Sequence, residues 1–431
     1  MSAIIDGSNA SSLPADSTIN GVTVGKGGGS QTINTVIGNS ALAGTNTSNG
    51  STAIGYQAGQ NNTSGSITAI GYQALQLNTT GTQNTAVGLV ALPVNTTGSF
   101  NNAFGQFALQ ANTTGQSNSA FGALSSNTTG SYNSAFGVSA LNSNTTASNN
   151  TAVGYQSLYN QTAAGSTAVG YQALYTSYGA YNTALGTSAA SSTTSGKGIT
   201  AIGAYVLTAN TTGGGNVGVG GVWDGTTGAA LAANTTGSYN TALGVSALNA
   251  NTTGAGNVGL GYSAGSNITT GSNNTYLGNN SSASSASVNY ELVITAGTST
   301  GKGTSTGYIN PGSGGVYQGN NSATWSITSD QRLKKNIVDN TVGLDAINKI
   351  QVRNFEYRTA DEVTELEPQN AIDIKGIQLG AIAQELALVL PDCVKTESTG
   401  VMSVDTTNLT WYLINAVKEL KTEIDQLKGN K

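Results

Sequence analysis

A step from a small residue through a large apolar one to glycine returns fifteen times between residues 38 and 278. The unit is visible in "NTAVGLVALPVNTTGSF", "NNAFGQFALQANTTGQS" and "NTALGVSALNANTTGAG". Of the fourteen spacings between those glycines, nine are 17 residues, three are 16, one is 15 and one is 24. A period this short and regular specifies one solenoid coil per repeat, each stacked only on its neighbours.

Within a unit, Thr85 to Leu92 alternates with period two, so Val87 and Leu89 share one face and Ala86 and Gly88 the other. The larger apolar residues are expected to fill the coil, with Ala and Gly allowing another backbone close. "NTTG" then supplies the turn, its glycine taking positive φ. Fifteen rungs about 4.8 Å apart predict a rod of roughly 70 Å, and so thin a coil predicts several chains packed together.

Three features of the repeat bear on function. "NTT" recurs from Asn78 to Asn251 and is formally a glycan acceptor, but a turn repeated with the coil explains it. Tyr56, Tyr72, Tyr155, Tyr171 and Tyr262 follow the glycine and suit packing between coils or chains, or a ladder for stacking sugars. The 24-residue spacing inserts a loop containing Trp223 and Asp224, a candidate receptor contact, since solenoid insertions map to surface loops. Trp325, in the aromatic-rich stretch after residue 281, is a second candidate.

Charge divides the chain. Residues 1–328 carry seven charged side chains and the last 103 residues carry the other 28, which places a boundary near Ser329. With no histidine and one cysteine, Cys393, the chain lacks the means for a metal centre, a disulfide scaffold or a histidine triad, so no cofactor is expected. Three lysines and no arginine in the shaft argue against nucleic acid. Nothing reads as a membrane span or a secretion signal, so synthesis in a cytoplasm is expected.

The repeats resemble those in the heads of trimeric autotransporter adhesins and in bacteriophage tail fibres, over roughly residues 34 to 280. That resemblance implies a homotrimeric β-solenoid or β-roll.

After Ser329 the pattern is that of a small α/β domain. Leu344, Ile347 and Ile350 are helically spaced, "VRNFEYR" alternates as a strand, and "GAIAQELALVL" reads as a helix ended by Pro391. Asp405 can cap a last helix whose Leu413, Val417, Leu420, Ile424 and Leu427 form a coiled-coil-like seam. "SDQRLKKNI", "FEYR", "LGAIAQELALVLPDCV" and "INAVKELKTEIDQLK" resemble the endosialidase-type intramolecular chaperone domain of phage tail spikes and fibres, over essentially all of residues 329–431. The resemblance implies a trimeric chaperone that cleaves Thr328–Ser329, with Ser329 as nucleophile and Lys334 as base. Where that family commonly has an aromatic residue, this chain has Ala381.

The chemistry is sound apart from the resemblance. A serine hydroxyl needs a base, and without histidine a neutral lysine is the available one. Free lysine titrates near ~10.4, so the role requires desolvation or nearby cations, for which Arg332 and Lys335 are candidates.

The fold expected is mainly β: an attachment segment (1–33), a trimeric solenoid shaft (34–280), a distal β tip (281–328) and an α/β chaperone domain (329–431). The function expected is that of a phage tail fibre. Its N-terminus would bind a tail or baseplate protein, and its body a host receptor, expected to be a glycan. A bacterial surface adhesin and a polysaccharide-degrading tail spike are the alternatives. Four scattered acidic residues in the first 328 argue against the latter.

Overall fold

The computed structural model describes residues 16–429 except Asn20, 29–30, Thr32, Ser48, 223–227, 313–314, 320–324, 327–328, Asp373 and Ser398. The chain divides into two compact units, Met1–Thr328 and Ser329–Lys431.

The first unit is a β-solenoid built on one 21-stranded sheet. Seventeen of its strands, from Thr35–Ile37 to Gly307–Asn310, pair in parallel, one per coil. At that number the stack is roughly 75 Å long. Two of the rungs, Leu292–Thr295 and Gly307–Asn310, lie beyond residue 280, where the sequence pattern fades. They were hidden because Thr295 and Asn310 stand where earlier units carry glycine. Antiparallel strands close both ends: Val22–Gly25 pairs with the first rung and Val316–Gln318 with the last. A stack that would otherwise present a bare parallel edge is thereby capped.

The coil is turned the opposite way from the expectation based on residue size. Strand positions Ala53, Ala69, Ala86, Ala103 and their equivalents are fully buried, whereas Leu89 is 43% exposed and Val87 only half-buried. The interior is too thin for two large side chains to meet across it. Alanine from the strand therefore faces leucine from the opposite wall, in a column that includes Leu75, Leu92, Leu109 and Leu124. Alternation identified which residues share a face, but the assumption that larger residues lie inside failed.

Asparagine completes this interior. The first Asn of "NTT" is buried at every occurrence. Asn95 Nδ2 donates to Asn78 Oδ1 (2.7 Å) and to Gly98 O (2.9 Å), and Asn112 Nδ2 donates in turn to Asn95 Oδ1 (2.9 Å). Buried amides thus satisfy one another from rung to rung. These asparagines are closed to glycosylation in the folded chain.

Two glycine columns make the stacking possible. A Cβ on Gly88, whose φ is 142°, would lie 2.6 Å from Gly105 O of the next rung. The "NTTG" glycine works differently from the expectation of positive φ. A Cβ on Gly98 would fall 2.3 Å from Gly115 O and 2.5 Å from Asn95 Oδ1, so the position is needed for close approach.

In the second unit, Arg353–Phe355 pairs with Gln378–Gly380 and Val394–Thr396 with Met402–Val404, both antiparallel. Helices α1 (Leu344–Ile347), α2 (Ala383–Ala387) and α3 (Thr406–Gly429) surround a core of Leu386, Leu390, Cys393 and Tyr412. Glu419 of α3 accepts from Leu344 N at the start of α1 (2.6 Å). Among the described residues no helix is long and apolar enough to cross a membrane.

Candidate functional site

The second unit begins with a single turn of 3-10 helix, Gln331–Leu333. Asp330 caps it, its Oδ1 accepting from Arg332 N (2.8 Å). The turn ends when Lys334 returns to extended backbone at φ −111°, ψ 147°, with its N–H on Gln331 O. One tight turn between residues 329 and 334 folds the lysine back toward the serine. Lys334 Nζ donates to Ser329 Oγ at 2.8 Å. This is the nucleophile-to-base distance that an activated serine requires.

The other charges are arranged around this pair. Arg332 reaches Asp330 with two side-chain nitrogens, Nε to Oδ1 at 3.0 Å and Nη2 to Oδ2 at 2.6 Å. Arg332's side chain first, and its backbone N–H second, hold the Asp330 carboxyl below its ordinary range. The guanidinium is raised in return. Arg332 is thus engaged by Asp330, a partner that sequence reading missed and that the cap signal two residues before Arg332 could have indicated. Lys335 is exposed beside the turn. Ser329 and Lys334 are exposed as well.

The remaining candidates are distributed differently. Thr328, Trp223 and Asp224 lie outside the described residues. So does the side chain of Trp325, whose backbone forms the short strand Trp325–Ser326. The insertion that carries Trp223 leaves the interior undisturbed, since Asn234 Nδ2 still meets Asn210 Oδ1 at 2.8 Å across it. Tyr56 stacks on Tyr72 (5.3 Å between centroids) and Tyr155 on Tyr171 (5.6 Å), all partly exposed. Glu291 is buried. Its carboxylate accepts from Tyr276 Oη, Ser284 N and Gly303 N, which makes it a tie between the last coils. Burial, and then Glu291, raise the Tyr276 hydroxyl above its ordinary range.

Residues 329–395 match the family model described as the chaperone of endosialidase. No curated protein and no solved structure matches the chain. The match covers Ser329 and Lys334, α1, the first hairpin and α2, and ends within the strand Val394–Thr396, before α3. A chaperone-type C-terminal segment following a β-solenoid body fits a tail-spike-like or fibre-like protein.

Proposed function

We propose that residues 329–431 bring three copies of the solenoid into register as a phage tail fibre and then cut themselves off at Thr328–Ser329. The observation that carries this reading is the 2.8 Å contact between Lys334 Nζ and Ser329 Oγ at the first residue of the chaperone-like unit. Lys334 in its neutral form takes the Ser329 hydroxyl proton as Oγ attacks the carbonyl carbon of Thr328. The C–N bond breaks, the Ser329 nitrogen leaves as an amine carrying that proton, and an ester joins Thr328 to Oγ. Water then cleaves the ester, giving a carboxylate at Thr328 and restoring the hydroxyl. No other reactant is needed.

Exposure of both residues in one chain gives the reaction a condition. A lysine works as base only when its neutral form is favoured, which burial achieves. Packing of copies around the turn supplies that burial, so cleavage follows assembly. The released body would attach to the tail through its N-terminal segment and meet a host surface along its length.

The test is intact mass of the purified full-length product. The unaltered chain is expected to yield a fragment ending at Thr328, and Ser329→Ala and Lys334→Ala to slow its appearance at least ~100-fold, the lower range for loss of a general base. Processing at this bond that persists in either variant would sink the assignment.

A further inference from the structure

The outward column of the solenoid faces away from the interior, its side chains meeting only their equivalents on adjacent rungs where they stack. From Ile37 to Ile309 all seventeen rungs place Ile, Val, Leu or Phe at one outward register position, with no alanine, polar residue or charge among them. Leu185 is 48% exposed and Leu243 52%. Seven of the seventeen side chains are 37–52% exposed and the other ten are partly exposed. At about 30% of a side-chain surface of order 125 Å², the column presents on the order of 600 Å² of continuous apolar surface, at the top of the about 300–600 Å² found for the largest patch on a typical monomer and approaching the about 800 Å² per partner that a stable interface buries. The column also lacks the charged or proline interruptions by which exposed β surfaces avoid association.

We propose that this column is the seam along which copies of this chain pack, parallel and rung for rung. The proposal deepens the assembly reading above and rests on it. A covering partner must be apolar without interruption for roughly 75 Å and must repeat at the rung spacing of about 4.8 Å. The same column on another copy satisfies both conditions. Phe104, Phe121 and Phe136 mark the register, stacked at 4.8 and 4.6 Å on consecutive rungs. Parallel packing in register sets these three against their own equivalents. An antiparallel pair would set them against Leu243, Val219 and Ile202 and separate the two C-terminal units.

Cross-linking of the full-length chain tests this directly. Val153→Cys places a thiol on the seam and Thr129→Cys places one on an exposed turn, while the native Cys393 is buried. A short bismaleimide is expected to join copies at position 153 at least ten-fold more than at 129. When chains carrying Val153→Cys and Ile202→Cys are co-expressed, links 153–153 and 202–202 should form without 153–202, because the two positions are three rungs apart. A single-chain mass for the unaltered protein, preferential linking at 129, or abundant 153–202 links would overturn the seam. Processing is read in the same samples. Links at 153 without any cut at Ser329 would keep the seam and remove the autoproteolysis, and a cut in assembled chains without links at 153 would do the reverse.

Discussion

At Asn144 the inner amide ladder stops. Its Nδ2 donates to Asn127 Oδ1 at 2.7 Å, but the next rung offers Gln161, whose Nε2 turns to Ala163 O (2.7 Å), Ser166 Oγ and Gly179 O. Asn144 Oδ1 is left buried without a donor among the described residues. A buried acceptor in that state costs about 1–3 kcal/mol, and a restored hydrogen bond contributes about 1 kcal/mol. Gln161→Asn, which recreates the residue found at the same place in the preceding rungs, is therefore expected to stabilise the solenoid by about 1 kcal/mol. Asn112→Ala should do the opposite by about 1–3 kcal/mol, since it leaves Asn95 Oδ1 buried without its donor and takes one of two acceptors from Asn127 Nδ2, which keeps Gly130 O. Chemical denaturation of full-length chains measures both; equal midpoints for the two variants would refute the ladder as a source of stability.

At the scale of elements, α3 shows how a cap couples to pH. Asp405 Oδ1 accepts from Thr407 N (3.0 Å) and Asn408 N (3.4 Å), and Oδ2 lies 3.6 Å from Lys395 Nζ. Burial pushes this carboxyl up, but the N–H groups of Asn408 and Thr407 and the charge of Lys395 outweigh it and hold it below its ordinary value. A folded value below the unfolded one means the stabilisation is complete above about pH 4 and disappears as pH falls through the folded value. The stability of the second unit should therefore fall below about pH 4, by about 1 kcal/mol for this cap. In Asp405→Asn, which caps without charge, the decline should be shallower. Urea unfolding followed by helical circular dichroism across that range compares them, and parallel declines would remove Asp405 from the explanation.

The cap, α3 and its exposed apolar strip were legible because each depends on local spacing. Asp405 precedes the helix, and Leu413, Val417, Leu420, Ile424 and Leu427 are exposed as a strip apart from Tyr412 and Ala416, which pack inward. The contact between Lys334 and Ser329 was legible for the same reason, as five positions and one turn separate the two residues. The orientation of the coil was not. Whether Ala86 or Val87 faces inward depends on the width left by Leu92 and Asn95 from elsewhere in the coil, and no property of the strand itself reports that. The hairpin at Val394–Thr396 and Met402–Val404 escaped notice because each strand is only three residues long.

For the whole molecule, uniformity creates a difficulty that the proposed role of the C-terminal unit would resolve. If seventeen rungs each offer nearly the same surface to another copy, a slip of one rung loses little locally, and half-assembled chains expose strand edges and the apolar column together. On the reading proposed above, a non-repetitive unit would supply the register that the repeats lack. After release, the assembled body would persist because unfolding must separate the whole column at once, a barrier to unfolding more than a deep equilibrium minimum. Deleting residues 329–431 at the gene level should then yield mostly aggregate. Refolding separates the two roles more sharply. Lys334→Ala fibres, which keep the unit, should recover assembly after dilution from guanidinium, whereas processed fibres unfolded in the same way should not. The readout is the fraction of chains sedimenting as the native assembly, with the unheated, undenatured fibres as reference. Equal recovery of the two would mean that the body holds its own register and that the C-terminal unit does something else.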